Sequence, residues 1–289
     1  MTGRYGTLAG VTDAPPPSQP YPPTEAFDGA EIARLTGGRL ERASDRPVRG
    51  AAVDSRRVQP GNLFVALPGE RTDGHEHLAA AIQAGAAAVL VSRPGVLPAT
   101  GADVSLIRVA NPLAALHVLA GAWRSRFDPL TVGITGSIAK TSTKEAVAAV
   151  LATRHRTLKN EGNENNEIGL PLTVLRLGAD DRALVLEMGM YVEGEIGDLV
   201  RIARPRIGVV TAVQPVHLAR IGSIEAIETE KGRLVEALPP SGTAVLNADD
   251  PRVARMAERT SARVLTYGFE PGADVRADGI APTASDGMR

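Results

Sequence analysis

Apolar positions recur with a helical rhythm over residues 26–40, through Phe27, Ile32 and Leu35, and Gly37-Gly38 closes the run as glycine commonly does. Short apolar runs follow. Residues 48–53 and 63–67 read as strands, the second preceded by the turn signal Pro60-Gly61-Asn62. Residues 77–84 form an alanine-rich helix ended by Gly85, and 87–91 and 106–109 are further strands. Asn111-Pro112 opens a longer helix reaching Phe127, with asparagine suited to the cap and proline to the first turn. The pattern predicts a compact α/β unit of roughly a hundred residues, an ordinary domain size.

Asp128-Pro129 marks the predicted boundary, and beyond it the alternation is more regular. Residues 130–135 read as a buried strand, followed by a glycine turn and a helix over 141–154. Apolar, largely β-branched runs at 183–187, 207–211, 243–246 and 264–266 are separated mostly by helical patterns at 168–177, 195–203, 224–238 and 251–258. Strand and helix in alternation imply a parallel sheet covered on both faces. A strand is expected to begin at Val275, and the polar stretch after it reads as a chain cut within a domain. No internal repeat or heptad pattern is present.

Composition narrows the class. Of the 289 residues, 43% are hydrophobic and 22% charged, the formal net charge is -1, and there is no cysteine. Disulfides, thiolate nucleophiles and cysteine-ligated metals are excluded. The charge gives no case for nucleic acid or an anionic membrane as partner. No apolar run is long enough to span a bilayer. Residues 1–24 contain Pro15, Pro16, Pro17, Pro20, Pro22 and Pro23 without an apolar signal core, so a disordered or polyproline-like tail and a cytoplasmic protein are expected.

Candidate chemistry starts at Thr131-Val132-Gly133-Ile134-Thr135-Gly136-Ser137-Ile138-Ala139-Lys140-Thr141-Ser142-Thr143-Lys144. Strand, turn, then helix points free backbone N–H groups and the positive helix end at one place, where phosphate oxygens can sit. Lys140 would reach the outer phosphates, and the Thr141 hydroxyl would join a magnesium shell. Ala139 stands where a phosphate loop has glycine, which accepts positive φ and close backbone approach. A positive φ at Ala139 would cost about 1 kcal/mol or more, whereas a negative φ would tolerate it. An ordinary βα turn whose lysine and threonine face solvent is the other account.

Glu187 ends a strand at the edge where open parallel sheets bind ligands, and could hold magnesium or cap the next helix. His217, after Val213-Gln214-Pro215, should fall near the same edge, as a metal or phosphate ligand or as a solvated loop residue. Lys231 lies within a helix in Glu228-Thr229-Glu230-Lys231-Gly232-Arg233, which also reads as a solvated charged face. Asn163-Glu164-Asn165-Asn166 and Asn247-Ala248-Asp249-Asp250-Pro251 can cap helices or contact a ligand. In the first unit, Asp54-Ser55-Arg56 and Asp73-Gly74-His75 could hold a phosphorylated sugar through an arginine fork and hydroxyl donors, or be turns with capping aspartates.

Taken together, these segments resemble the Mur ligase family from about Phe27 to Gly268. Asp54-Ser55-Arg56, the string Pro60-Gly61-Asn62-Leu63-Phe64-Val65-Ala66-Leu67, Gly69 and Asp73-Gly74-His75 look like the signature of its nucleotide-sugar-binding domain. Thr135 to Thr141 is similar to its phosphate loop, apart from Ala139. Asn165-Asn166 with Gly169-Leu170-Pro171-Leu172-Thr173, and Glu187-Met188-Gly189 with Gly194-Glu195-Ile196, resemble the branch that adds D-alanyl-D-alanine. His217-Leu218, Gly222-Ser223 and Lys231-Gly232 also fit, although Pro215-Val216 replaces the usual small residue.

The resemblance implies an α/β protein with a disordered proline-rich tail at 1–24. It implies a small N-terminal UDP-sugar-binding domain at 25–128, then a P-loop central domain at 129–289 with a mainly parallel sheet, truncated before a third domain. It also implies roles. Lys140 and the backbone at Gly136, Ser137, Ile138, Ala139, Thr141 and Ser142 would hold ATP. Thr141 and Glu187 would hold one magnesium (Mg2+). His217 would help bind a second, with Lys231, if carbamylated, bridging to it. Asn247, with Asn165 or Asn166, would contact the nucleoside, and Ser55, Arg56, Asp73, Gly74 and His75 the UDP-sugar.

The implied reaction is ATP-dependent amide-bond formation in peptidoglycan precursor synthesis, joining D-alanyl-D-alanine to UDP-N-acetylmuramoyl-tripeptide through an acyl phosphate. Placement and charge neutralisation would supply most of the catalysis. A monomer is expected, as is inactivity of this stretch without the third domain. Two alternatives stay open: a related Mur-type or polyglutamate-type ligase with another substrate, and a non-catalytic nucleotide-sugar-binding protein with a degraded phosphate loop. The 54–75 signature argues against polyglutamate synthesis.

Overall fold

The computed structural model describes residues 25–69, 72–95, 103–216 and 221–279, with the backbone alone at 282–283 and 287–288. The proline-rich stretch 1–24 and His217 lie outside the described residues.

Two sheets organise the chain. The first contains β1 (Arg39–Arg42), β2 (Ala51–Ala52), β3 (Leu63–Val65), β4 (Ala88–Val91) and β5 (Ser105–Arg108), in the order β1-β5-β4-β3-β2. All its pairings are parallel except β1 with β5. Helix α1 (Gly29–Thr36) starts where the Asp28 carboxylate accepts the Glu31 N–H at 2.7 Å, and stops at Gly37 with φ 64°. The helical rhythm read over 26–40 therefore overran, and its last residues turn into β1. The strand expected at 48–53 shrinks to β2 plus an isolated bridge from Val48 to Phe27. Helix α2 (Leu78–Gln83) follows a 3-10 turn at Gly74–His77.

Helix α3 (Pro112–Arg124) opens with Asn111 Oδ1 accepting the N–H groups of Leu113 and Ala114, as its letters predicted. It is shared between the two sheets. Trp123 meets Phe27 and Phe127 in tilted ring contacts, with the Arg126 guanidinium 4.3 Å from the Phe27 ring centre. Trp123 also donates its indole N–H to the Leu177 carbonyl at 2.9 Å. Arg124 is buried, and its guanidinium is satisfied by the Ala203 and Phe127 carbonyls and the Thr131 hydroxyl. One apolar core runs from Ile32 and Val65 through Leu116 to Leu186 and Leu234, so α3 fastens the first sheet to the second.

The second sheet is wholly parallel, in the order β12-β11-β10-β9-β6-β8-β7. Its strands are β6 (Leu130–Thr135), β7 (Thr157–Lys159), β8 (Ala183–Glu187), β9 (Ile207–Val210), β10 (Thr243–Asn247), β11 (Arg263–Gly268) and β12 (Val275–Arg276). The helices are α4 (Lys140–Ala152), α5 (Gly169–Val174), α6 (Glu195–Ala203), α7 (Ile224–Glu236) and α8 (Pro251–Ala254). From β6 the chain goes first to β7 and β8 on one side, then to β9 and β10 on the other. That reversal opens a crevice at the carboxyl ends of β6 and β9, where doubly wound sheets bind ligands. Among the described residues no helix is long and apolar enough to cross a membrane.

Candidate functional site

The turn after β6 is built tightly into that crevice. Gly136 has φ 148°, and a Cβ there would stand 1.9 Å from the Thr211 hydroxyl oxygen. Ser137 is fastened to the segment after β9: its N–H donates to the Ala212 carbonyl at 2.8 Å, and its hydroxyl accepts the Gln214 N–H at 2.8 Å. Thr211 Oγ1 donates to the Ile138 carbonyl at 2.6 Å. Helix α4 then begins without a side-chain cap, leaving its first N–H groups aimed at the crevice. Ala139 takes φ 62°. The strained alternative posed by the sequence is the one observed.

Lys140 and Thr141 occupy the first turn of α4. Half-burial pushes the Lys140 ammonium below its ordinary range, and the Glu187 carboxylate pulls it back upward. Thr141 Oγ1 donates to Glu187 Oε2 at 2.8 Å. Glu187 is 2% exposed at the end of β8, and its other oxygen accepts from Asn165 Nδ2 at 2.7 Å. A hydroxyl and a carboxylate meeting beside a phosphate cradle are hard oxygen donors of the kind magnesium takes, with phosphate and water completing its shell. Among the described residues no group of three or more His, Asp or Glu could form a closed metal cage. An open site with few protein ligands is the arrangement magnesium-nucleotide chemistry uses.

Lys231 is not on a solvated face. It is 3% exposed, and none of the ion pairs among the described residues involves it. Burial, and then the nearby Lys140 ammonium, hold its amine down at about 7, against a smaller upward pull from Glu230. Glu230 is itself buried, accepting the Ile196 N–H at 2.8 Å and the Arg233 Nε at 2.7 Å.

The asparagines divide. Asn166 caps α5 through Gly169 N–H at 2.9 Å, and Asn165 holds Glu187, so neither amide lines the cleft that contains Asn247. That cleft, of about 580 Å³, is walled by Ile138, Ala139, Thr211, Asn247, Asp250 and Tyr267. Asn247 Nδ2 donates to the Thr211 carbonyl at 2.9 Å, and Asp250 caps α8 while accepting the Val213 N–H at 2.8 Å.

The first unit carries a larger cleft of about 1070 Å³, bounded by Ser55, Arg56, Thr72, Gly74, His77 and Asn111 and reaching Glu167 and Ile168 of the second unit. Asp54 caps the turn at Ser55–Arg57, and its bonds to Arg56 hold its carboxyl at about 2. His75 turns its side chain inward, away from the cleft. Its ring is buried, bonded to Asp73 Oδ1 at 2.6 Å and accepting the Ser92 N–H at 3.0 Å. It staples the loop to the end of β4. Asp73, tied to His75 and Arg93, also does not wall the cleft; Thr72 and His77 do.

Two residues that the sequence reading passed over brace the site. Asn160 is fully buried; its side chain accepts the Glu187 N–H at 2.9 Å and donates to the Glu187 carbonyl at 3.0 Å. Lys144 is fully buried too and donates to the Asn160 carbonyl at 2.9 Å. Leaving such buried partners unpaired costs about 1–3 kcal/mol per group. Lys144 and Ala148 share the buried stripe of α4, a spacing that was available in the sequence.

Residues 134–289 match the model of the Mur ligase middle domain, and residues 47–124 match that of the Mur ligase family catalytic domain. The chain belongs to the Mur ligase family. Among curated Mur ligases, the UDP-N-acetylmuramoyl-tripeptide–D-alanyl-D-alanine ligase of Mycobacterium bovis is 42% identical over 283 residues, covering 87% of this chain and 54% of the relative. The Bacillus subtilis enzyme of the same name is 38% identical over 221 residues, covering 76% and 47%. The crystal structure of the Mur ligase MurF from Thermotoga maritima in complex with ADP superposes with TM-score 0.73 at 31% identity, covering 82% of this chain and 54% of that one. The chain spans about half the length of the curated relatives it matches.

Proposed function

We propose that this Mur ligase chain belongs to an ATP-dependent enzyme that joins D-alanyl-D-alanine to UDP-N-acetylmuramoyl-tripeptide, as the names of its relatives describe. The observation that carries the reading is the convergence at one sheet edge of an anion cradle, Lys140, the Thr141–Glu187 pair and the buried Lys231, which has no ion-pair partner among the described residues. Residues 25–128 would hold the UDP-sugar in the cleft at Ser55, Arg56 and Gly74. Residues 129–289 would hold ATP.

In this reading Lys140 and the N–H groups of Gly136 and of Ile138 to Ser142 bind the phosphates, the Ser137 N–H being held by the Ala212 carbonyl, and Asn247 lies at the nucleoside side. Thr141 and Glu187 would hold magnesium, which when bound supplies positive charge against the transferring phosphoryl group. Asn165 and Asn160 orient Glu187 rather than touch nucleotide. His217 is assigned to a second cation only by family likeness. An amine held at about 7 is substantially neutral in neutral solution. Its lone pair can add to carbon dioxide, forming an N–C bond and releasing one proton, which turns Lys231 into an anionic carbamate beside the cationic site. The peptide carboxylate then takes the γ-phosphoryl group as ADP leaves, and the dipeptide amine attacks the acyl phosphate, losing a proton as the C–N bond forms and phosphate departs. The chain's part is to place two anionic reactants together and offset their charge.

The test is phosphate release by the intact gene product supplied with ATP, UDP-N-acetylmuramoyl-tripeptide and either D-alanyl-D-alanine or single amino acids. Release that depends on the dipeptide is expected. Release with a free amino acid instead would move the protein to another Mur-type substrate. Sugar-nucleotide binding with no release under any pairing would leave a binding protein.

A further inference from the structure

Among the described residues two non-glycine residues have positive φ, Arg204 at 50° and Ala139 at 62°. Arg204 follows the last turn of α6, a common place for left-handed backbone. Ala139 stands inside the phosphate loop, immediately before Lys140. An L side chain in this conformation presses its Cβ on the neighbouring peptide, a crowding that glycine escapes.

Such a conformation persists only where the surroundings impose it. On one side, the Thr211 hydroxyl holds the Ile138 carbonyl at 2.6 Å. On the other, the Ala139 carbonyl accepts the Thr143 N–H at 3.0 Å and the Thr143 hydroxyl at 2.8 Å. Two residues upstream, Ser137 is locked to Gln214 through both its hydroxyl contacts. The Ala139 methyl is exposed and forms part of the wall of the cleft that holds Asn247.

We propose that Ala139 is a strained pivot that loosens this chain's hold on a nucleoside triphosphate. It is a positioning residue, acting through Lys140 and the helix N–H groups that follow it, and the proposal rests on the nucleotide-binding reading above. The bonds to Thr211 and Thr143 hold residue 139 left-handed against that crowding, a fraction of ligand-free molecules relaxes out of the cradle geometry, and binding has to draw that fraction back. Glycine removes that demand, and valine, branched at Cβ, increases it.

The experiment compares the wild-type chain with Ala139→Gly and Ala139→Val by calorimetric titration of ATP in excess magnesium, with thermal melting of each protein without ligand. Glycine is expected to tighten ATP binding about fivefold, and valine to weaken it by roughly tenfold or more. The dissociation constant is the readout that strain confined to the protein's own stability would leave alone. Equal affinities for glycine and alanine overturn the pivot, whatever the melting temperatures do. If none of the three proteins takes up ATP at millimolar concentration, the nucleotide reading falls and the pivot falls with it. A glycine variant that still melts about 2 °C higher would then mark strain that serves no ligand. Should valine fail to fold, the glycine arm decides alone.

Discussion

Lys231→Met is expected to make the ligand-free protein more stable at neutral pH while abolishing turnover. The lysine is 3% exposed, and burial together with Lys140 holds its amine at about 7, well below the 10.5 of a solvated lysine. Between those two values the unfolded chain carries a proton that the native chain does not, so native stability rises with pH across the window. Below about 7 both states are protonated and the buried charge weighs fully on the fold. A methionine of similar length removes that weight. Replacing poorly compensated buried charge with apolar groups gains on the order of 1–4 kcal/mol, so about 2 kcal/mol and roughly 5 °C in melting temperature are expected at pH 7. The advantage should shrink as the pH is raised and vanish above about 10.5. Phosphate release by the intact gene product carrying the substitution should fall by roughly a hundredfold or more, as when a charge-stabilising group is removed. A variant less stable than wild type at pH 7 would show that Lys231 is a structural residue whose charge the fold needs.

Gly136→Ala should have the largest effect on nucleotide binding. The added Cβ would lie 1.9 Å from Thr211 Oγ1 and 3.1 Å from both Thr211 Cβ and the Ala212 nitrogen, at a φ of 148° that L residues avoid. Thr211 cannot simply rotate away, because its hydroxyl secures the Ile138 carbonyl. Either the turn moves, which dismantles the cradle, or the sheet edge does. We expect a stability loss of about 2–4 kcal/mol by urea unfolding and ATP affinity reduced by about a hundredfold or more in calorimetry. Truncating the obstacle in the double variant Gly136→Ala/Thr211→Ala should restore part of the stability. No recovery there, or wild-type affinity in the single variant, would separate the turn from phosphate binding.

The second unit was more legible in sequence than the first, for a physical reason. Strand β6 and helix α4 are each specified by their own residues: a run of buried apolar positions, then a helix start punctuated by glycine. Strand β1 is Arg-Leu-Glu-Arg, with a single apolar residue, and exists because β5 offers it an antiparallel edge. Nothing within those four residues declares it. Strand β7 is a three-residue edge, equally dependent on its neighbour β8.

The site divides in the same way. Glu187 was legible at the carboxyl edge because it ends strand β8, and Thr141 because it opens the helix that follows the turn after β6. The direction of His75 was not readable, since a polar triplet in a loop can face cleft or core, and here the Ser92 N–H draws its ring inward. The burial of Lys231, left open as a solvated face, could have been read from spacing alone. Lys231 shares the buried stripe of α7 with Ile227, Leu234 and Val235, and a lysine on an apolar stripe is the exception that points to chemistry.

The central claim is that the turn before Lys140 grips a triphosphate with the help of magnesium bound by Thr141 and Glu187. Calorimetric titration of ATP into the folded chain, with magnesium present and then removed by chelator, tests it most directly. The account predicts one saturable site whose affinity falls steeply without magnesium and in Lys140→Ala. Heat that is absent from the folded protein, or that is unchanged by chelator and by that substitution, would contradict it.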